Sequence, residues 1–495
     1  MAMLSSQSGW LVLWAYSLGM LALVFFGTRR ERSAEEYLVA NRRVGVWPGA
    51  FSIAATWIWA PAIFVCSQKS YEQGLAGIFW FTVPNVVCFF TFVPFVLRAR
   101  RLMPQSYSLP DFIWRHFNGH KPAHAVFMFI ALGIAVTGII SNSLAGGLLL
   151  HSIAGVDQNR AIIAFASFAL FYSVWRGLPG SVVTDVVQMS LIFGIAFVLV
   201  PWTLFEAGGW STISGGLSGI AGSTNVLDPW ITYSFGLPAT IGLLSGPICD
   251  QMFYQRAMAT REESIKKTFV YGGLVFALVP IVLSLFGFIA ANPAVAPHLS
   301  VGDNQLVSVN VVAHFLPQWT VVGFAVMALC GLSSTLDSAY CAAGALYSVD
   351  IHRKYVNPNA NDGEILRVSK IGMFCIGAAG TLIAILPGVK LLWIFLIYGV
   401  LAAAGVFPAL LALYWKRVSA RGVFWGAGLS IVVGLPLSIY ANASESAHLA
   451  VLATVSTSVI SMVVTCAEAL GIFGANAETA SPEPGPYREP IKRAA

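Results

Sequence analysis

The chain has 495 residues, of which 57% are hydrophobic and 10% charged, with a formal net charge of +6. A soluble domain carries roughly 25% charged residues, so this composition excludes a water-soluble globular protein. It points to an all-α polytopic membrane protein, because apolar runs of about 20 residues recur along the whole length.

The first apolar run covers 9–26 and is followed by Arg29, Arg30 and Arg32. No positive charge precedes it and no small-residue cleavage site follows, so a retained helix is expected rather than a signal peptide. Its basic flank places the N-terminus outside. Further spans are predicted at 46–68, 74–97, 123–150, 160–175, 181–205, 231–254, 268–290, 318–350, 370–387, 391–414, 422–440 and 447–473, about thirteen in all. With the N-terminus outside, every Lys and Arg except Lys69, Arg160 and Lys390 falls on the cytoplasmic side, as the positive-inside rule requires. The long loops 206–230 and 291–317 contain neither residue type. Residues 476–495 hold four prolines among mixed charges and read as a disordered cytoplasmic tail. No soluble domain is appended and no Walker motif occurs, which disfavours a sensor-kinase and gives the chain no ATPase of its own. Cys66, Cys88, Cys249, Cys330, Cys341, Cys375 and Cys466 all lie in apolar segments without a CxxC pair, and read as small core residues.

Two spans carry helix interruptions. In the span 46–68, Pro61 offers no N–H to the carbonyl of Trp57, one turn earlier. In the span 231–254, Gly246-Pro247 is expected to break the helix in the same way. These spans are five apart, so the breaks fall in the first helix of each of two five-helix halves, and an odd number of spans per half makes the halves inverted. A matched pair of interrupted helices marks the midplane site of a transporter. Ordinary proline kinks are the alternative, and Pro84, Pro201, Pro280 and Pro408 show that other spans carry proline too.

The stretch Gly331-Leu-Ser-Ser-Thr-Leu-Asp-Ser338 lies inside the apolar span 318–350. Its hydroxyls and carboxylate are the oxygen ligands that a hard cation wants, and an ionisable group at membrane depth is costly without a role. On a helix Ser334 and Ser338 share a face, with Asp337 one turn from Ser333 and Ser334. Hydroxyls in membrane helices also simply bond the carbonyl one turn back or a neighbouring helix.

Six short motifs in order resemble the sodium:solute symporter family: Ser33 to Arg42 around Tyr37, Tyr107 to Asp111, Gly177 to Gln188 with Thr184 and Asp185, Asp250-Gln251 with Gln255-Arg256, Ser334 to Ser338 followed by Asp350, and Pro408 to Gly422 around Trp415 and Arg417. The resemblance runs from about Ser33 to Trp425. It implies a leucine-transporter-like core: 1–45 as an N-terminal transmembrane helix and cytoplasmic loop, 46–206 and 207–415 as inverted five-helix repeats, 416–475 as two C-terminal helices, then the tail. It also implies a Na⁺ site made by the carbonyls of Ala54, Trp57 and Gly331 and the hydroxyls of Ser334 and Thr335. A second Na⁺ position would map to Asp185, Ser334, Asp337 and Ser338. For Asp185 the alternative is a hydrated carboxylate near the cytoplasmic end of its span.

In that fold the solute sits beside the two breaks, so Thr56, Trp57, Trp59, Pro61, Ser245, Cys249 and Asp250 are the expected lining residues. Where sugar-transporting members offer polar side chains, this chain has Trp-Ile-Trp-Ala-Pro, which disfavours sugars. Two tryptophans suit a flat amide or a cation over a ring face. The Trp-x-Trp-Ala string resembles the urea-permease branch. Packing or interface aromatics are the alternative for Trp57 and Trp59.

The expectation is a secondary active transporter of the cell membrane that couples Na⁺ to a small polar, nitrogenous solute such as urea, an amine or proline. A monocarboxylate symporter, a proton-coupled or uncoupled carrier, and a solute sensor built on the same fold are the alternatives. The expected partners are the solute and the lipid bilayer, with no nucleic acid. An enzyme finds no support, since no His–carboxylate metal cluster or nucleophile–base pairing stands out. The eight histidines fall mostly in loops or at helix ends and read as solvated.

Overall fold

The computed structural model describes residues 3–28, 33–299 and 301–472, so the predicted tail 476–495 lies outside the described residues. Among these, helices make up nearly everything, and the β pairing is one isolated parallel bridge between Val44 and Thr260. Ten helices among the described residues are long and apolar enough to cross a membrane, and the chain is a multi-pass membrane protein.

Helix α1 (Ser6–Gly27) opens on Ser5, whose hydroxyl accepts from the Ser8 N–H. Helix α2 (Val46–Trp57) is followed by a π-helical turn, Pro61–Val65, that runs into α3 (Cys66–Leu102). Helix α3 turns sharply at Gly74, where φ is +66° and a Cβ would lie 2.5 Å from the Leu217 carbonyl oxygen. Only glycine tolerates that combination. After the short α4 (Leu109–His116) come α5 (Lys121–Ala154) and α6 (Gln158–Glu206). Helix α6 bends at Gly177, with φ +54° and the Tyr37 carbonyl oxygen 2.6 Å from where a Cβ would stand.

Helices α7 (Leu237–Cys249) and α8 (Gln251–Ala259) are separated by one extended residue, Asp250, at φ −84° and ψ 117°. Then follow α9 (Ile265–Ala291), α10 (Trp319–Ala345), α11 (Asp362–Ala384), α12 (Leu391–Tyr414), α13 (Ala420–Ala443) and α14 (Ala447–Ala469). A π-helical stretch, Leu346–Val356, extends α10 at its far end.

The ten long helices differ from the thirteen predicted spans for three physical reasons. The runs 160–175 and 181–205 are two helical segments that follow one another across the non-helical Gly177 within Gln158–Glu206. The span 46–68 divides at its break, and its second part continues into 74–97 as Pro61–Leu102. The span 231–254 divides at Asp250 into the helical run 229–249, which is not among the ten, and the short α8.

Helix α10 sits at the centre, with all of its residues from Phe324 to Ala345 buried except Val326. It packs on α5, α6 and α11, and touches α2 and α8. Helix α9 lies along α2 and α3, while α7 packs on α3 and α12. The last two helices, α13 and α14, pack on each other and on α12.

Candidate functional site

Helix α2 ends where Pro61 leaves the chain no donor for the Trp57 carbonyl. Ile58 bends out at φ −83° and ψ 63°, and its N–H bonds the carbonyls of Ala54 and Ala55, both at 3.1 Å. Beyond the break, the Ala60 N–H is received by the side-chain oxygen of Asn142 on α5 at 2.9 Å. Helix α10 passes directly against this gap. A Cβ on Gly331 would lie 2.8 Å from the Ile58 carbonyl oxygen. One turn on, the Thr335 hydroxyl donates to the Thr56 carbonyl at 2.9 Å and reaches its own helix at the Gly331 carbonyl, 3.3 Å away.

The expected first ion position is therefore distributed as follows. Thr335 and Gly331 face Thr56 and Ile58 at the α2–α10 crossing, with Ala54 and Trp57 buried in the last turn of α2. Ser334 faces the other way, donating to Asp185 Oδ1 at 2.5 Å. The donor set is all neutral oxygen, and hydroxyls that donate to a neighbour keep lone pairs for a cation. The residues present thus fit a small monovalent cation in chemistry and burial.

The expected second position is a dense polar cluster. Asp185, Asp337 and Ser338 are 0% exposed, so the reading of Asp185 as a hydrated carboxylate is set aside. Asp185 Oδ2 accepts from Ser52 at 2.5 Å and from Arg256 Nη2 at 3.0 Å. Asp337 accepts from Ser181 at 2.6 Å, Tyr172 at 3.0 Å and Thr184 at 3.2 Å. Ser338 shares a hydrogen bond with Thr56 at 3.1 Å and accepts from Arg256 Nη2 at 2.5 Å. With both carboxylates ionised, one guanidinium leaves the cluster one negative charge in excess. Beyond Ser333, the network reaches α1 through Tyr16, whose hydroxyl lies 2.5 Å from the Ser333 hydroxyl and accepts from Gln188 at 3.0 Å.

The expected solute residues divide. Trp57 and Trp59 stack with centroids 5.9 Å apart and 28° between planes, and Tyr398 stands 5.1 Å from Trp59 and 6.1 Å from Trp57. Phe253 and Phe395 complete this aromatic group. Trp57 Nε1 donates to Asn85 at 2.9 Å, whereas Trp59 Nε1 is buried with no hydrogen-bond partner. Asp250 closes the group: Oδ2 accepts from the Tyr398 hydroxyl at 3.3 Å, and Oδ1 caps α8 through the Met252 N–H at 2.8 Å. Thr56 instead faces the ion cluster through Ser338. Cys249 donates to the Ala402 carbonyl at 3.4 Å. Ser245 is buried on α7, and Pro61 opens the π-helical turn after the gap.

Two expectations are corrected. The second interruption falls at Asp250, not at Gly246-Pro247, because α7 runs straight through Pro247 and ends at Cys249. The histidines are not all solvated. His124 is 0% exposed, shares a 2.8 Å hydrogen bond with the Tyr355 hydroxyl, and lies 3.3 Å from Asp350. Asp350 also accepts from Ser108 at 2.6 Å and pairs with Lys354, which reaches Asp111 at 2.8 Å. Burial opposes the charge on Asp111, but Lys354 and Arg115 hold its carboxyl well below the usual carboxylate range. This network ties α4 to the end of α10. Of the residues sequence reasoning missed, Arg256 stood in a quoted motif and Ser52 lies one turn before Thr56. Asn85, Asn142 and Tyr398 carried no local signal.

The family model described as "Sodium:solute symporter family" matches residues 37–430. Among curated relatives, the probable urea active transporter 3 of Schizosaccharomyces pombe is 22% identical over 435 residues, which cover 82% of this chain and 65% of that one. The urea-proton symporter DUR3 of Oryza sativa subsp. japonica is 23% identical over 442 residues, covering 82% and 60%. The chain therefore spans less than two thirds of the length of these two relatives. Among solved structures, a Na⁺-coupled sialic acid symporter in a substrate-bound outward-open state aligns with a TM-score of 0.75 and 18% identity, over 96% of this chain and 99% of that one. At that identity the likeness is one of fold.

Proposed function

The chain belongs to the sodium:solute symporter family, and on that premise we propose that it is a secondary active symporter carrying a small polar, nitrogenous solute, urea or a close amide first, together with Na⁺. The observation that supports this reading most is the meeting of the α2 gap with Gly331 and Thr335 of α10. There backbone oxygens freed by a helix break face hydroxyls on a neighbouring helix, deep in the protein.

In this reading the bends at Gly74 and Gly177 and the gaps at Ile58 and Asp250 separate consecutive crossings. They give about thirteen crossings, with the two inverted five-helix repeats at 46–206 and 207–415. The charge pattern then sets the N-terminus outside and the C-terminus in the cytoplasm. A cavity of about 890 Å³ lined by Lys69, Glu72, Asn304, Lys390 and Trp393 lies on the side so assigned to the exterior and serves as the entry vestibule.

The chain's own residues have distinct tasks. The Trp57–Trp59 pair offers ring faces to a planar solute. Trp59 Nε1 needs an acceptor, and Asp250 and the Tyr398 hydroxyl can receive N–H donors. A flat amide supplies both kinds of group, while a quaternary ammonium supplies neither. Na⁺ bound between α2 and α10 ties the gap to the helix across from it. It thereby favours the arrangement of Trp57 and Trp59 that takes solute, and the coupling is a reciprocal free energy between the two sites.

A proton-coupled reading draws on the rice relative, described as a urea-proton symporter. Thermal shift of the purified protein with urea, proline, betaine, putrescine, acetate and glucose, each with Na⁺ or choline and at two pH values, separates the readings. A shift with urea that grows with Na⁺ supports the proposal. A urea shift indifferent to Na⁺ but dependent on pH supports the proton-coupled reading.

A further inference from the structure

Arg256 stands six residues beyond the Asp250 break, on α8, and is 3% exposed. Its guanidinium reaches three helices that pack on one another around it, α2, α6 and α10. Nε donates to Ser52 of α2 at 3.0 Å. Nη2 donates to Ser181 and Asp185 of α6, both at 3.0 Å, and to Ser338 of α10 at 2.5 Å. Asp185 and Ser338 are two of the four residues assigned to the second ion position. A guanidinium is a cation with N–H donors and no acceptor. Its remaining nitrogen, Nη1, is buried with no hydrogen-bond partner. The position thus already holds a cation, one delivered by a helix that starts at the solute-side break.

We propose that Arg256 is a tethered occupant of the second ion position. Its guanidinium and a free coupling cation alternate at Asp185 and Ser338, so a second ion enters only when α8 carries the arginine away. The inference rests on the reading that Asp185, Ser334, Asp337 and Ser338 can take a cation. It adds that the movement of α8 decides when they do. A cation attached to a mobile element loses no translational freedom on binding, so it displaces a free ion effectively once α8 docks. It also keeps the buried carboxylate paired while the free ion is gone, avoiding the cost of an uncompensated buried charge. The break at Asp250 is then a link between the solute group and the ion cluster, with Asp250 capping the helix that bears Arg256.

The test is a Na⁺ titration of the purified full-length protein, read by thermal unfolding without solute, with choline keeping the ionic strength constant. Arg256→Gln vacates the position, and the Na⁺ concentration for half-maximal stabilisation is expected to fall about tenfold, equivalent to about 1.4 kcal/mol. Arg256→Lys keeps a tethered charge and stays nearer the wild type. Ser52→Ala leaves the charges unchanged and removes one bond to the guanidinium and one to Asp185, loosening the arginine and freeing a carboxylate lone pair, so a shift of about threefold in the same direction is expected even if Arg256→Gln does not fold. A wild-type Na⁺ response that neither Arg256→Gln nor Ser52→Ala strengthens overturns the inference alone. A wild type with no Na⁺ response overturns the ion-coupling reading along with it.

Discussion

Gly331 on α10 and Ile58 in the α2 gap approach so closely that a methyl on the glycine would lie 2.8 Å from the Ile58 carbonyl oxygen. That contact sets how near the Thr335 hydroxyl comes to the backbone oxygens at the end of α2. Gly331→Ala forces the helices apart and is expected to lower stability by about 1–3 kcal/mol, as overpacking does. It is also expected to abolish the Na⁺-dependent part of any solute-induced thermal shift. Unfolding curves with Na⁺ and with choline check both effects.

The two buried aspartates are expected to respond unequally to neutralisation. Asp185→Asn leaves the Arg256 guanidinium buried without its counter-charge, and a loss of about 3–5 kcal/mol is expected. Asp337 has hydroxyl partners and no cation in direct contact. Asp337→Asn removes the excess negative charge and is expected to cost about 1 kcal/mol, the scale of one altered hydrogen bond. Thermal or denaturant unfolding of the two variants side by side checks the order. Equal losses would contradict the charge count.

Trp59→Phe keeps an aromatic ring and deletes the unpartnered Nε1–H. Unliganded stability is expected to hold or rise, since burying a donor without a partner costs about 1–3 kcal/mol. Affinity for an amide solute is expected to fall about tenfold, one hydrogen bond to a carbonyl being lost. Equilibrium binding measured on Trp59→Phe and wild type reads both consequences.

His116, on the short helix α4 outside the spans, stacks on Phe112 with centroids 5.3 Å apart and has no partner for Nε2. Burial holds its imidazole down to about 4. The folded value lies below the ordinary value of about 6.5, so the unfolded chain binds the proton more readily between them. Stability is therefore expected to fall as pH drops through that window, by at most about 3 kcal/mol from this residue. His116→Phe is expected to flatten the curve from pH 6.5 to 4, and a slope as steep as the wild type's would place its origin elsewhere.

How far the sequence could be read follows from the range over which each feature is determined. Pro61 is legible because a missing N–H acts one turn away, and α2 ends where that predicts. Pro247 misleads for the complementary reason. A helix can run through a proline when its neighbours support it, and the true gap falls at Asp250, whose carboxylate caps the next helix. The hydroxyl run on α10 was visible as a chemical anomaly in an apolar span. Of its partners, Asp185 was reached through the motif resemblance alone and Ser52 and Arg256 not at all, because the three are brought together from three other helices. Asn85 and Tyr398 looked like ordinary members of apolar runs. Their roles beside Trp57 and Asp250 exist only once the helices pack.

The central claim is that the oxygens at the α2–α10 crossing bind Na⁺ and order the aromatic solute group. The direct measurement is a urea titration of wild type and of Ser334→Ala with Thr335→Ala, in Na⁺ and in choline, read by thermal shift on purified protein. The account predicts a wild-type urea response that strengthens with Na⁺ and a double variant that folds but gives the same weak response in both salts. A double variant whose urea response still grows with Na⁺ as in wild type would contradict it.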